Sequence, residues 1–285
     1  MLSRHRRQGF TLLETMVATG MLLIVSGAVY QLLVTTQRLA RAQAEHLALQ
    51  STVRNAVLIV LNELRELSTS EGQGRERNDV LSGTPTSITY RASRGVGLTC
   101  QPPTTTQIRL AQSGFVAARD PQAGRDSAYV FVEGDSSTDT DDIWQPVAIT
   151  AVSTLANCAG TLEPGLTLTV SSTSPLVGLT AGAPVRIYEV MELRLYRSEG
   201  KSWLGMRSVS AGEAIQPLAG PLSDDGFRLA YLDRAGRATE DVTAVSTIAV
   251  TVHGIGERQP SLNGAAGDSL AEELVTQIAL RNSVR

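Results

Sequence analysis

The sequence predicts an α+β fold in which one long N-terminal helix packs on a mainly antiparallel, β-rich C-terminal domain. An apolar run from Phe10 to Val34 continues into a helical stripe that ends near Leu67. After that stripe, short segments of alternating apolar and polar residues are separated by clusters of glycine, proline and small polar residues, as in β-strands joined by turns. We therefore divide the chain into residues 1–9, 10–34, 35–67 and 68–285.

The apolar run is long enough to cross a membrane as a helix. About 25 residues suffice for a hydrocarbon core of roughly 30 Å, and Glu14 is the only charged residue in the run. Basic residues that flank a span stay on the cytoplasmic side. The basic residues before the run are Arg4, Arg6 and Arg7. We therefore expect a single-pass membrane protein with a cytoplasmic N-terminus and an extracytoplasmic C-terminal domain.

Other export signals fit this N-terminus less well. A secretory signal has an apolar region of about 7–15 residues and a small-x-small cleavage site, whereas this run is longer and no Ala-x-Ala follows it. Arg6 and Arg7 suggest a twin-arginine signal, but Glu14 would be unusual in its apolar region. A lone carboxylate at membrane depth costs about 2.5–3.5 kcal/mol. A plain signal anchor, with Glu14 reaching the headgroup region, therefore stays as an alternative.

The string Gly9-Phe10-Thr11-Leu12-Leu13-Glu14, with its basic leader and full apolar span, resembles the N-terminal signature of type IV pilins and type II secretion pseudopilins. The resemblance implies that a prepilin peptidase cleaves after Gly9 and that the new N-terminal residue, Phe10, is N-methylated. It also implies that Glu14 pairs with the N-terminal amine of a neighbouring subunit. The partners that it implies are the peptidase, other pilin or pseudopilin subunits, and the inner membrane.

The helix is expected to continue beyond the membrane as an amphipathic segment. Its apolar positions recur at spacings of three and four, as on a helix that packs on a sheet. They are Leu39, Ala42, His46, Leu49, Val53, Val57, Val60, Leu64 and Leu67. The polar, glycine-containing sequence from Ser68 to Gly74 predicts the end of the helix. Gly20 and Gly27 lie near one face of the apolar run, where small residues permit close helix approach.

Alternating segments predict the strands of the C-terminal domain. They are Ser87–Arg91, Gln107–Ala111, Ala128–Glu133, Trp144–Thr150, Leu166–Val170, Val185–Arg197, Ser202–Arg207, Phe227–Leu232 and Thr247–His253. Pro146 suggests an edge strand or a strand start. The tail, Leu270–Leu280, suits either a helix or a strand. We predict a strand, because a closing strand is common in the family that the chain resembles.

Two cysteines, Cys100 and Cys158, lie in the segments Thr99–Thr106 and Ser153–Pro164, which are predicted to be insertions. An extracytoplasmic domain faces an oxidising environment, so a disulfide between them is expected. On the chain-entropy model such a bridge contributes roughly 4 kcal/mol. The alternative is two free thiols that are too far apart to join.

An acidic cluster is the only candidate for metal binding. Closely spaced carboxylates in a loop could hold Ca²⁺, which takes six to eight oxygen ligands. The cluster consists of Asp135, Asp139, Asp141 and Asp142. Their spacing is not that of an EF-hand, so the alternative is a solvated hairpin tip, and no cofactor is expected.

The motifs do not indicate an enzyme. The three histidines are His5, His46 and His253, and the sequence has no nucleophile elbow, phosphate loop, dinucleotide fingerprint or paired-cysteine zinc motif. We expect no small-molecule substrate. The alternative of another class is a membrane-anchored enzyme or sensor whose reaction depends on Glu133, Asp139 or His253.

Charge argues against a nucleic-acid-binding function, and size indicates which members of the family the chain resembles. The formal charge is −3, and losing the three arginines of the leader would take it to −6. An acidic domain argues against a nucleic-acid surface, which needs a basic stripe. The size of residues 68–285 points to the larger members of the family that the chain resembles. These are PilW-like minor pilins, which prime assembly or lie near a tip, with J-type pseudopilins as the alternative. Whether the machine is a pilus, a secretion system or a DNA-uptake apparatus stays open.

Overall fold

A computed structural model describes residues 11–69, 78–134, 137, 142–172, 180–256 and 270–281 of the chain. Within this part of the chain, one helix precedes all of the strands, which confirms the predicted α+β fold class. The helix, α1, spans Leu12–Leu64. The strands are β1 (Val80–Thr84), β2 (Ser87–Leu98), β3 (Gln107–Ala111), β4 (Val116–Ala117), β5 (Asp126–Val132), β6 (Ile143–Asn157), β7 (Pro164–Ser171), β8 (Pro184–Ser198), β9 (Lys201–Ser208), β10 (Gln216–Leu232), β11 (Thr247–Ile255) and β12 (Ala271–Ala279).

The strands form one antiparallel sheet that divides along β8. On one side, β2 pairs with β8 over almost its whole length. The other side of β8 is shared, because Val185–Glu189 pairs with β5 whereas Met191–Ser198 pairs with β9. As a result, β8 belongs to two regions of the molecule, which differ in what covers them.

The first region is a small barrel formed by β2, β8, β5, β6, β7 and β3 in that order. β3 returns to β2 through a bridge between Thr99 and Leu110, where the Cys100 N–H donates to the Arg109 carbonyl at 2.9 Å. A barrel of this size is filled by its own side chains. The interior residues are Ile108, Leu110, Ala128, Val130, Val147, Ile149, Leu166, Leu168, Val170, Ala183, Val185 and Ile187.

The second region is the helix-covered part of the sheet, where α1 lies on β10, β11 and β12. The helix residues that it buries recur at helical spacing and are Leu49, Val53, Ala56, Val57, Val60 and Leu64. Because Gly254 of β11 has no side chain, the helix can lie close to the sheet at this position. A Cβ at that position would lie 2.7 Å from Val53 Cγ2 and 2.8 Å from Leu49 Cδ1, closer than carbon atoms pack.

A buried ionic network joins the two regions at Glu189, where β8 leaves the barrel. Glu189 is 1% exposed and accepts hydrogen bonds from Arg94 Nε (2.7 Å), Arg119 Nη2 (3.1 Å) and Arg125 Nε (2.5 Å). Arg119 also forms two hydrogen bonds with Asp126, the cross-strand neighbour of Glu189, at 2.6 and 2.7 Å. Buried carboxylates need such partners, since an unpaired buried charge is strongly destabilising.

The network keeps Glu189 ionised. Burial raises the pKa of Glu189, but hydrogen bonds from Ser208, Arg94 and Arg119 outweigh that effect and hold the pKa at about 2. The ionised form of Glu189 is therefore more stable in the folded domain than in the unfolded chain.

The structure corrects several boundaries and adds two strands. α1 ends at Leu64 with Arg65 as its C-cap, so Leu67, which is also buried, lies past the helix rather than at its end. β2, β6 and β10 are longer than predicted, and β1 and β4 were not predicted. Ser153–Asn157 belongs to β6 rather than to an insertion.

Two predictions about strands near proline and in the tail can also be checked. The tail forms β12, which confirms the predicted strand. Pro146 lies near the start of β6, as predicted, although β6 is an interior strand. It lies before Ala148, where pairing with β7 begins, so only β5 is paired with the strand at this point.

Candidate functional site

Thr11 and Glu14 form a capping box at the start of α1. The Glu14 N–H donates to Thr11 Oγ1 (3.3 Å), and both the backbone N–H and the hydroxyl of Thr11 donate to Glu14 Oε2 (3.0 and 3.1 Å). A capping box satisfies helix N–H groups that have no partner within the helix. It holds the carboxylate beside Thr11, at the first turn of the helix. A threonine three residues before a glutamate is a local signal for this cap, although only the glutamate was predicted to be functional.

Glu14 retains capacity to accept further hydrogen bonds. In the described part of the chain, its contacts all come from Thr11 and use one oxygen, Oε2. The side chain is exposed and no cation of the described residues pairs with it. Glu14 Oε1 therefore has no hydrogen-bond donor among the described residues. Gly9 and Phe10, the predicted cleavage and methylation residues, lie outside the described residues.

The N-terminal half of α1 is apolar and is not covered by any other described residue of the chain. Residues 12–33 include many large apolar side chains that are at least half exposed. These are Leu12, Leu13, Met16, Val17, Met21, Leu22, Leu23, Ile24, Val25, Val29, Tyr30, Leu32 and Leu33. The helix is long and apolar enough to cross a membrane. An apolar surface of this size is typical of a membrane span or an interaction surface.

Gly20 and Gly27 have no side chains, so the surface of the helix is flat at these two positions. A Cβ added at either position meets no atom of the chain within 4 Å. Packing within the described chain therefore gives no reason for these glycines, in contrast to Gly254 at the helix–sheet contact.

The disulfide between Cys100 and Cys158 confirms the predicted pairing. It ties the segment after β2 to the segment after β6, at the end of the barrel away from Glu189. Arg109 crosses beside it and donates to Gln101 Oε1 (3.1 Å) and to the Asn157 carbonyl (2.9 Å). The bridge and the Arg109 hydrogen bonds therefore hold these two segments together at one end of the barrel.

The acidic cluster is only partly described. Asp135, Asp139 and Asp141 lie outside the described residues. Asp142 accepts a hydrogen bond from the Gly134 N–H at 3.2 Å. Among the described residues, no three carboxylate, histidine or cysteine side chains are grouped as metal ligands. The predicted calcium site stays a prediction.

His253, the histidine of the alternative enzyme hypothesis, contacts a serine that no sequence motif indicated. Ser223 Oγ lies 3.1 Å from His253 Nδ1 and 2.9 Å from Asp225 Oδ1. In a Ser-His-Asp triad the carboxylate forms a hydrogen bond with the imidazole, and the imidazole forms a hydrogen bond with the serine hydroxyl. Here carboxylate and imidazole converge on the same hydroxyl, and a hydrogen bond from Ser223 together with the charge of Arg228 lowers the pKa of Asp225. The arrangement lies at the register shift of β10 between Leu222 and Phe227 and differs from that of a Ser-His-Asp triad.

Comparison with known proteins supports the N-terminal motif. The family model described as the prokaryotic N-terminal methylation motif matches residues 4–30, which include Gly9, Phe10 and Glu14. The match covers about a tenth of the chain. The comparisons with curated proteins and with solved structures each returned no match. The motif is prepilin-type and indicates the type IV pilin and pseudopilin family.

Proposed function

We propose that this chain is a structural subunit of a type IV pilus or a related filament, rather than an enzyme. The observation that carries the proposal is the N-terminal half of α1. It is a span-length apolar surface that the described part of the chain leaves uncovered, and it has a capped carboxylate at its start. A methylation motif covers the same residues. These features suit a helix that first spans a membrane and then packs in the interior of a filament.

The proposed first step is processing at the membrane. Prepilin peptidase cleaves the Gly9–Phe10 bond on the cytoplasmic side and removes residues 1–9, after which Phe10 is N-methylated. The α-amine created by cleavage remains a cation after methylation. The residue that carries it precedes Thr11, whose own N–H lies 3.0 Å from Glu14 Oε2. The new cation and the carboxylate therefore lie at the same end of the helix.

The proposed second step is transfer of the helix from lipid into a filament. In lipid, Glu14 and the new amine are both costly, because an isolated charge in a low-dielectric medium costs several kcal/mol. Glu14 of one subunit and the amine of an adjacent subunit relieve both costs when they pair. Since the pair forms at one axial offset, it also sets the register between neighbouring helices. The flat surface at Gly20 and Gly27 supports close packing of those helices.

The head, residues 68–285, is proposed to lie outside the inner membrane. The arginines of the leader favour a cytoplasmic N-terminus, and the Cys100–Cys158 disulfide is typical of an oxidising compartment. The barrel adds a second region to the head beyond the helix-covered sheet. This added size supports a large minor subunit, of PilW-like type, that primes assembly or lies near the tip. A J-type pseudopilin has the same layout and is the second candidate.

Mass spectrometry of the mature N-terminus tests the proposed processing. Co-expression with a prepilin peptidase should produce a chain that lacks residues 1–9 and carries one added methyl group on Phe10. The Gly9→Leu variant should keep its leader, whereas the matched Gly27→Leu variant should still be cleaved. An intact leader on the wild-type protein purified from its host would contradict the proposal.

A further inference from the structure

The edges of the sheet differ in how well they are protected against pairing with another chain. Natural sheets protect edges with short strands, bulges, proline or covering segments. Among the described strands, β4 has two residues, β1 has a bulge between Val80 and Ser82, and β3 is joined to β2 by the Thr99–Leu110 bridge. Within the described residues, β12 has no bulge, no proline and no covering strand, although it carries the charged residues Glu272 and Glu273, which also discourage pairing. It runs for nine residues in unbroken register with β11.

The backbone of β12 has hydrogen-bonding groups that point away from the sheet. The Leu280 N–H donates to the Ser246 carbonyl (2.9 Å) on the β11 side, and the Arg281 N–H donates to the Leu67 carbonyl (2.8 Å) on the other side. Alternate residues of an extended strand direct their N–H and C=O groups to opposite sides. The odd-numbered residues of β12 therefore face outward, and no strand of the described chain pairs with them. They are Ala271, Glu273, Val275, Gln277 and Ala279.

The chain itself shows that this edge accepts a second segment. Leu67 and Ser68, just past α1, lie against Arg281, and Ser68 forms a parallel bridge with it. The contact uses the outward side at the C-terminal end of the strand and stops there. Towards the N-terminal end, the outward groups at Glu273, Val275 and Gln277 continue the same row.

The side chains of β12 specify what would pair with it. Leu274 and Val275 point to opposite faces, and they are 39% and 58% exposed. Glu273 is exposed beside them. A row of free backbone groups recognises an extended peptide, and side chains on alternate faces then give selectivity. The fitting partner is an extended protein segment with apolar residues opposite Leu274 and Val275 and a lysine or arginine opposite Glu273.

A second copy of this chain does not fit the edge in antiparallel fashion. β12 runs in the same sense as α1, because Glu272 pairs with Gly254 at the level of Leu49 whereas Arg281 reaches Leu67. Two copies in one membrane have parallel α1 helices and so have parallel β12 strands. This step rests on the proposed function, which places the copies in one membrane.

We propose that the outer edge of β12 binds an extended segment of a different extracytoplasmic protein by strand addition. The head of the subunit then has a docking site separate from its assembly helix. Binding adds a strand to the helix-covered part of the sheet and leaves the barrel unchanged.

A defined peptide tests the edge in the full-length, detergent-solubilised protein. The probe is a short, terminally blocked peptide of alternating valine and threonine with a lysine at each end. Its matched control is the same peptide with alternate backbone amides N-methylated, which keeps the side chains and removes the donors. We expect saturable binding that slows hydrogen exchange at Glu273, Val275 and Gln277, with at least about tenfold weaker binding of the control. Equal binding of the two peptides, or protection elsewhere, would overturn the proposal.

Two variants separate the edge from general stability. Val275→Pro removes an outward N–H and leaves the ladder with β11 intact, whereas Val275→Thr keeps the N–H. Val275→Pro should bind the probe at least about tenfold more weakly than Val275→Thr. If Val275→Pro lowers the melting temperature, Glu273→Lys replaces it and should weaken binding of the lysine-containing probe by charge repulsion. Wild-type binding by Val275→Pro, or by Glu273→Lys where it replaces Val275→Pro, would rule out the edge.

A cross-linking experiment in the host identifies the class of partner. A photoreactive residue at Val275 should yield a product with a different protein, and the product should disappear when Gln277 is changed to Pro. A product that is a dimer of this chain would overturn the choice of partner. Leader cleavage, measured on the same sample, should be normal in every edge variant. Failure of the strand-addition proposal is therefore distinguishable from failure of the proposed function.

Discussion

The two halves of α1 form one continuous helix but lie in opposite environments. Residues 49–64 bury an apolar stripe against the sheet, whereas residues 12–33 expose nearly every apolar side chain. The N-terminal half is apolar all round, as in a membrane span or a filament interior, and the C-terminal half is apolar on one face only. The comparison shows that the fold of the head explains the sequence of the C-terminal half alone. The N-terminal half requires an apolar environment, which the described part of the chain does not supply.

Two carboxylates show the same contrast. Glu189 is buried and has three arginine partners within its own chain. Glu14 has no cation near it in the described chain and is held by Thr11 in an exposed cap. The partners of Glu189 are therefore already present in the monomer, whereas the proposed partner of Glu14 belongs to another subunit.

The largest stability difference is expected from one substitution made in each half of the helix. Leu64 is fully buried and Leu23 is 73% exposed. Leu64→Ala should lower the free energy of unfolding of the head by about 2–5 kcal/mol, because it leaves a cavity against the sheet. Leu23→Ala should leave it unchanged. Denaturant unfolding of the detergent-solubilised protein measures both, and equal effects would contradict the division of the helix.

Acid should weaken the head through Glu189. Its pKa lies at about 2 in the folded protein against 4.5 ordinarily, so its contribution is fully present above about pH 4.5 and is lost as the pH falls towards 2. The contribution corresponds to about 3 kcal/mol. Unfolding measured near pH 6 and near pH 3 should show about 2 kcal/mol of this loss in the wild type, because the folded protein still holds Glu189 mostly ionised at pH 3. Glu189→Gln should be less stable at the higher pH and should lose less on acidification; an identical pH dependence would rule out Glu189 as the cause.

The smallest effects are expected from two glycine substitutions, one of which should change head stability and the other filament incorporation. Gly254→Ala places a Cβ 2.7 Å from Val53 and should cost the head about 1–3 kcal/mol. Gly27→Ala meets nothing within the chain, so it should leave head stability unchanged while reducing incorporation into filaments. Thermal unfolding and the subunit content of purified filaments are the two measurements. Normal incorporation of Gly27→Ala would remove the evidence for close helix packing at that position.

Local patterns in the sequence were sufficient to predict the helix and most strands. The disulfide was predicted differently, from the presence of two cysteines and the expected extracytoplasmic position of the domain. The alternation in Ala128–Glu133 or Thr247–His253 shows which residues share a face, and helical spacing identifies Leu49, Val53 and Leu64 as one buried stripe. These signals are contained within each segment, so no knowledge of the rest of the chain is needed to interpret them.

The division of the sheet along β8 could not be predicted in the same way. Alternation indicates that Val185–Arg197 is a strand but not that its two halves pair with different neighbours. The network at Glu189 has the same origin, because its three arginines lie far from Glu189 in the sequence and meet it only when β2 and β5 pair with β8. β4 is too short to show periodicity, and β1 has only Val80 and Leu81 as apolar residues. The Thr11 cap, by contrast, has a local signal in the sequence, but it was not predicted.

Incorporation of a Glu14 variant into filaments tests the central claim most directly. Glu14→Gln keeps the size and the hydrogen-bonding capacity of the side chain but removes the charge that would pair with the N-terminal amine. The variant should lose its leader, carry the methyl group on Phe10 and reach the membrane as the wild type does, yet enter filaments at least about tenfold less often. Incorporation at the wild-type level, with processing confirmed by mass spectrometry in the same sample, would contradict the account.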